Sequence, residues 1–147
     1  MQDKCAIVKA TLEAGLLPKP EVFGASPLLG GYVPGSYVSV GKIIGECEAL
    51  IEAGAWKLMI EEAGLFDGND PEKWRRDMAW SIATRIPQRY LYWEASSPTL
   101  AGWLLGQFGP DTNVFTGPEW LGYVAPGRVG AFGTAGRIAR FSGDSAD

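Results

Sequence analysis

The sequence has no histidine, only two cysteines and no excess of positive charge: 13 Lys+Arg face 17 Asp+Glu in 147 residues, a formal net charge of -4. Each shortage closes off a class of function. Without histidine there is no Ser-His-Asp or Cys-His catalysis, and the commonest zinc ligand is missing. Any catalysis must draw on carboxylates, lysine, arginine or a hard metal ion. The acidic balance, with a pI near 4.9, supplies no basic field, so nucleic acid and anionic membrane surfaces are excluded as expected partners. No apolar run approaches the roughly 18 residues of a membrane span, and Met1-Gln2-Asp3-Lys4 does not open an export signal. A cytoplasmic protein is expected. Cys5 and Cys47 stand singly in apolar helical patterns and read as small thiols rather than as a disulfide or a nucleophile.

What is present is enough for one globular core: 46% of the residues are hydrophobic. Ala6, Ile7, Ala10, Leu12 and Ala14 recur at helical spacing and stop at Gly15. A short strand is expected over residues 16–24, then a Gly/Pro/Ser-rich loop to about residue 39. The stripe Ile43, Ile44, Cys47, Leu50, Ile51 predicts a second helix over residues 40–53, followed by a strand over 56–61. Asp70-Pro71-Glu72 combines a cap, a first-turn proline and an early acid, predicting a third helix to about residue 86, with a strand over 89–94 after it. Ser97-Pro98 repeats the signal for a fourth helix ending at Phe108-Gly109-Pro110, before a strand over 112–117 and a short helix over 119–124. Residues 1–130 are expected to form the domain and 131–147 a flexible tail.

Alternating helices and strands of this length imply an α/β fold with parallel strands, either an open doubly wound sheet or part of a (β/α)8 barrel. Three of the four expected strands end in glutamate. Glu21, Glu61 and Glu94 should therefore gather along one rim with Asn113 near the start of the fourth strand, the rim that is catalytic in barrels. Three carboxylates in a low dielectric repel one another unless a proton or a cation intervenes, and Mg2+ suits a few carboxylate oxygens plus water and substrate. The plain alternative is that each glutamate only begins a loop or caps a helix. Glu62 is expected on the opposite face, in solvent. Ser96 and Ser97, at a helix start after the third strand, and Thr116-Gly117 after the last, could receive a small anionic substrate; ordinary capping by Ser97 competes with that reading. The run Gly130, Gly133, Gly136 lacks a preceding strand and is no nucleotide motif. Trp74, Trp80 and Trp103 read as helix residues facing core or interface, and Arg75 and Arg76 as a solvated helix face.

The stretch Tyr90-Leu91-Tyr92-Trp93-Glu94-Ala95-Ser96, then Trp103-Leu104-Leu105-Gly106-Gln107-Phe108-Gly109-Pro110 and Asn113-Val114-Phe115, resembles the carboxyl-terminal part of the phosphosulfolactate synthase family, which includes plant heat-stress-associated relatives. Residues 48–61 and Gly64-Leu65-Phe66-Asp67 are also similar, and the resemblance runs from about residue 4 to 130. It implies the carboxyl-terminal half of a (β/α)8 TIM barrel and the Mg2+-dependent addition of sulfite to phosphoenolpyruvate, a reaction of coenzyme M biosynthesis. It implies Glu21, Glu61 and Glu94 as catalytic residues, Glu61 and Glu94 holding the metal. Two positions depart from the family: where the enzymes carry a lysine this chain reads Gly24-Ala25-Ser26-Pro27, and where they carry an arginine it reads Glu62-Ala63. Lys19 and Lys57 share strand parity with Glu21 and Glu61 but lie at the strand starts, the far end from the rim. A full barrel takes about 250 residues. A homo-oligomer that completes the barrel, or a missing amino-terminal half, is therefore expected. The alternative function is that of a non-catalytic member acting through protein contacts, as in the stress-associated relatives.

Overall fold

The computed structural model describes residues 2–28, 31–66 and 70–129. Helix α1 (Gln2–Glu13) leads into strand β1 (Glu21–Val22), a hairpin of β2 (Ala25–Leu28) and β3 (Gly31–Tyr37), then α2 (Val40–Glu52), β4 (Leu58–Ile60), α3 (Arg76–Arg85), β5 (Leu91–Glu94), α4 (Pro98–Phe108), β6 (Val114–Phe115) and α5 (Leu121–Arg128). The main sheet has the order β1-β4-β5-β6 with every neighbour parallel, and β2 and β3 form a separate antiparallel pair. Strands laid down in sequence order with helical crossovers are the repeating unit of a (β/α)8 barrel, here four of the eight.

One face of the sheet is dry. Val22, Leu58, Ile60, Leu91, Trp93 and Val114 alternate with the opposite face and meet Ile43, Cys47 and Leu50 of α2, Ile82 of α3, and Leu100, Leu104 and Phe108 of α4 in one core. Trp93 anchors it: fully buried, its ring stacks on Phe108 with centroids 5.3 Å apart, and Phe66 closes on it edge-on. Truncating such a residue to alanine typically costs about 3–5 kcal/mol. Both cysteines are free, and burial pushes the Cys47 thiol up to about 12, so it packs as a small apolar group and stays unreactive.

The caps behave as their chemistry dictates. The Ser97 hydroxyl accepts the Leu100 N–H at 3.2 Å and Pro98 fills the first turn of α4. Asp70 caps as expected, but over a 3-10 turn at Pro71–Lys73; the chain extends at Trp74 before α3 begins at Arg76, so the third helix is shorter than its capping signal indicates and Trp74 lies outside it. Residues 16–20 are not strand, and Gln88–Tyr90 is a 3-10 turn leading into β5. The expected loop after Gly24 contains the β2–β3 hairpin. Among the described residues no helix is long and apolar enough to cross a membrane. The glycine run at 130–136 and the 131–147 tail lie outside the described residues.

Candidate active site

The register places the strand-end glutamates. Ile60 pairs with Trp93, so the next residues, Glu61 and Glu94, stand side by side on the face opposite the core. Glu94 in turn pairs with Phe115. Glu21 pairs with Met59, two residues earlier on β4, and so sits one same-face step, about 6.6 Å, behind the other two. The sequence expectation of a common face holds, but the three are not at one level.

The carboxyl groups of Glu61 and Glu94 hydrogen-bond to each other, and Glu61 is pushed up to about 8. Loss of water is the main cause, followed by the hydrogen bond and the negative charge of Glu94, then the charge of Glu21; Lys19 opposes the rise. At neutral pH the pair holds a proton. Glu94 is fixed further by the backbone N–H of Glu62, which donates to its Oε2 at 3.1 Å.

Glu62 itself is not a solvated bystander. Its carboxylate accepts the Ser96 N–H at 2.7 Å and the Ser96 hydroxyl at 2.8 Å, tying the loop after β4 to the loop after β5. Strand parity stops governing direction at Ile60, the last ladder residue, and Glu62 lies in the bend beyond it. The first amides around α4 are correspondingly occupied: Ala95 N–H by the Phe115 carbonyl, Ser96 N–H by Glu62, and Leu100 N–H by Ser97, while Pro98 has none. Of the donors expected there for an anion, those of Ser96 and Leu100 are already engaged.

Arg75 also departs from the expectation of a solvated helix face. Half-buried, it donates to the carbonyls of Gly64 at 3.0 Å and Val38 at 3.4 Å, and its guanidinium lies 4.7 Å from the Tyr37 ring centroid. It clamps the end of the hairpin to the loop after β4. The two backbones touch at that clamp: Gly24 N–H donates to Ala63 O, and a Cβ on Gly64, whose φ is 81°, would lie 2.5 Å from the Ala25 nitrogen. Arg76 donates to the Pro71 carbonyl instead.

The remaining candidates are scattered along the fourth strand. Asn113 donates to the Leu91 carbonyl at 3.2 Å, back toward the start of β5. The Thr116 hydroxyl is buried just past β6 without a hydrogen-bond partner among the described residues. Beside it, a Cβ on Gly117 would sit 2.5 Å from the Glu119 carboxyl carbon, so a carboxylate already lies against the loop expected to receive an anion. Lys57 turns away, donating to the Arg89 carbonyl. Lys19 does not: its ammonium lies 4.8 Å from the Tyr92 ring centroid and 5.1 Å from that of Phe115, on the glutamate face. The expectation, from its place at the strand start, that it stays at the far end fails because a four-carbon stem carries the charge well past its own Cα. That reach, and the shared parity of Lys19 with Glu21 and Glu61, were the available sequence signals.

Two adjacent carboxyl groups suit Mg2+, which takes one or two such ligands and completes its shell with water and substrate oxygens. Among the described residues no group of three or more His, Cys, Asp or Glu side chains gathers closely enough to hold a metal ion by themselves. Glu21 therefore stands outside any such set.

Parallel strands in sequence order, with carboxylates at their carboxyl ends on the face away from the helices, define an α/β protein of the TIM-barrel class. The model of the (2R)-phospho-3-sulfolactate synthase (ComA) family matches residues 1–134, and the chain belongs to that family. No curated protein sequence matches it significantly.

Proposed function

We propose that this chain carries the carboxylate side of a phosphosulfolactate synthase-type active site, for the Mg2+-dependent addition of sulfite to phosphoenolpyruvate. In that reaction the sulfur of sulfite bonds to the methylene carbon, the double-bond electrons move into the substrate carboxylate as an enolate, and a proton delivered to the phosphate-bearing carbon completes the product. The observation that carries the reading is the Glu61–Glu94 pair, two hydrogen-bonded carboxyls at one strand-end level of a family member. Glu61 and Glu94 would hold Mg2+, which supplies positive charge for the developing enolate. Glu62 orients Glu94 through its backbone N–H, and Ser96 fixes Glu62 in turn. Such supporting contacts typically matter about 10- to 100-fold for metal affinity or activity. Ser96, Ser97, Asn113, Thr116 and Gly117 remain the candidates around the substrate, Thr116 with a hydroxyl free to accept or donate.

A second reading, a non-catalytic member acting through protein contacts, is favoured by Gly24-Ala25-Ser26-Pro27 and Glu62-Ala63, which lack the lysine and arginine of the enzymes. The deciding experiment is an assay for phosphosulfolactate from phosphoenolpyruvate, sulfite and Mg2+, run beside Glu94→Gln. Product that falls at least about 100-fold in the variant supports the lyase. Absence of product at any chain concentration, together with Mg2+-independent behaviour, supports the protein-contact reading.

A further inference from the structure

One charged group on the glutamate face has no role in the function proposed above. Lys19 precedes the edge strand β1, yet its ammonium rests against Tyr92 of β5 and Phe115 of β6, and Phe115 is the register partner of Glu94. Its charge acts on Glu61. Among the described residues no carboxylate lies within ion-pair distance of it, whereas Lys4 pairs with Glu46, Lys57 donates to Arg89 O and Arg75 donates to Gly64 O and Val38 O. Aromatic rings hold an ammonium through its charge and leave its three N–H donors for another partner.

The other places on the rim where an anion was expected are partly occupied. The amides of Ser96 and Leu100 are engaged, and the Glu119 carboxylate lies against Gly117. Both Gly24-Ala25-Ser26-Pro27 and Glu62-Ala63 lack a cation. We propose that Lys19 is the substrate-binding cation of this site, its ammonium receiving the phosphate of a small substrate that carries an anionic group at each end, one for Lys19 and one for the metal side at Glu61 and Glu94. The assignment rests on the proposed function for the identity of that substrate, phosphoenolpyruvate, and on geometry alone for the phosphate contact.

The test is titration calorimetry of the full chain with phosphoenolpyruvate in saturating Mg2+, and separately with inorganic phosphate, for the wild type, Lys19→Gln and Lys19→Arg. Loss of a charge-assisted contact should weaken both anions at least about tenfold in Lys19→Gln. Lys19→Arg, which keeps the charge, should stay within a few-fold and shows that the loss is one of charge rather than of fold. Mg2+ affinity without phosphoenolpyruvate should not fall in Lys19→Gln, because removing a positive charge beside Glu61 cannot disfavour a cation. Unchanged anion affinity in Lys19→Gln would reduce Lys19 to a counter-charge for Glu61 and overturn the proposal. Lys19-dependent binding of phosphate without binding of phosphoenolpyruvate would keep Lys19 as the cation and remove the substrate reading. A wild type that binds neither anion overturns the Lys19 assignment, while the lyase reading is judged separately by its turnover assay.

Discussion

Glu62 and Ser96 are joined by two hydrogen bonds of 2.7 and 2.8 Å, and through the Glu62 N–H the same connection reaches Glu94. A residue whose carboxylate is tied to the neighbouring loop thus holds, through its backbone N–H, a carboxylate of the candidate site. The link crosses from the loop after β4 to the loop after β5, the two segments whose relative position decides how close Glu61 and Glu94 stand.

Glu62→Ala should therefore act on the site without touching it. Two charge-assisted hydrogen bonds disappear and the Ser96 N–H loses its acceptor, costing about 1–3 kcal/mol in stability. Mg2+ affinity should fall about 10-fold as the loop that carries the Glu62 N–H, and with it Glu94, is no longer held by Ser96. Denaturant unfolding and a metal titration on the same preparation check both; Mg2+ affinity equal to wild type would show that Glu94 holds its place without this support.

Glu61 makes stability depend on pH with a definite sign. Its folded value of about 8 lies above the ordinary 4.5, so the folded chain keeps a proton that the unfolded chain releases. The contribution is fully present below about 4.5 and is lost as the pH rises through about 8. Glu61→Gln removes the titration: in metal-free buffer it should melt higher than wild type at pH 9, with the gap closing toward pH 5. Mg2+ added at pH 8 should raise the wild-type Tm and leave the variant unmoved. Parallel melting curves across that range would count against the carboxyl pair.

Gly64→Ala should be among the most damaging single changes. The added Cβ meets the backbone of Gly24 and Ala25 at a residue with φ of 81°, where neither side can give by a rotamer change. Left-handed strain of about 1–2 kcal/mol adds to an overpacking cost of about 1–3 kcal/mol. The expected loss is about 2–5 kcal/mol in urea unfolding, and a loss below about 1 kcal/mol would mean that the loops at residues 24 and 64 separate freely.

The parts of this structure legible in the sequence are those set by local chemistry. Ser97-Pro98 and Asp70-Pro71-Glu72 announce their turns because capping is decided within four residues, and the Ile43, Cys47, Leu50 stripe announces α2 because burial follows helical period. Adjacent placement of Glu61 and Glu94 follows from strands that end at equivalent points. What stayed hidden depends on partners far along the chain. Arg75 is held by carbonyls at residues 38 and 64, Glu62 by Ser96, and the offset of Glu21 by a register between β1 and β4 that no local pattern encodes. The β2–β3 hairpin was concealed because the glycines and prolines of Gly31-Tyr32-Val33-Pro34-Gly35 interrupt the alternation by which a strand is recognised.

The same half-sheet predicts self-association. Among the described residues β1 and β6 have one neighbour each in the main sheet, so each leaves a strand edge without a strand partner; Lys4 occupies the Glu21 carbonyl on the β1 edge, and Phe115 on β6 is 46% exposed. Four parallel strands with helices on one face leave the other face uncovered, whereas a barrel closes with eight and removes every edge. A second copy that aligns its β1 with the first copy's β6 continues the parallel order and supplies the missing rim opposite Glu61 and Glu94. Light scattering across a concentration series should show a dimer or larger species of the 15.8 kDa chain at tens of micromolar, and Val114→Pro, which removes a backbone donor from the open side of β6, should shift it toward monomer. Because Val114 is buried, the variant is read beside Val114→Ala, which carries the packing loss but keeps the N–H. A folded monomer at every concentration would refute barrel completion by a second copy.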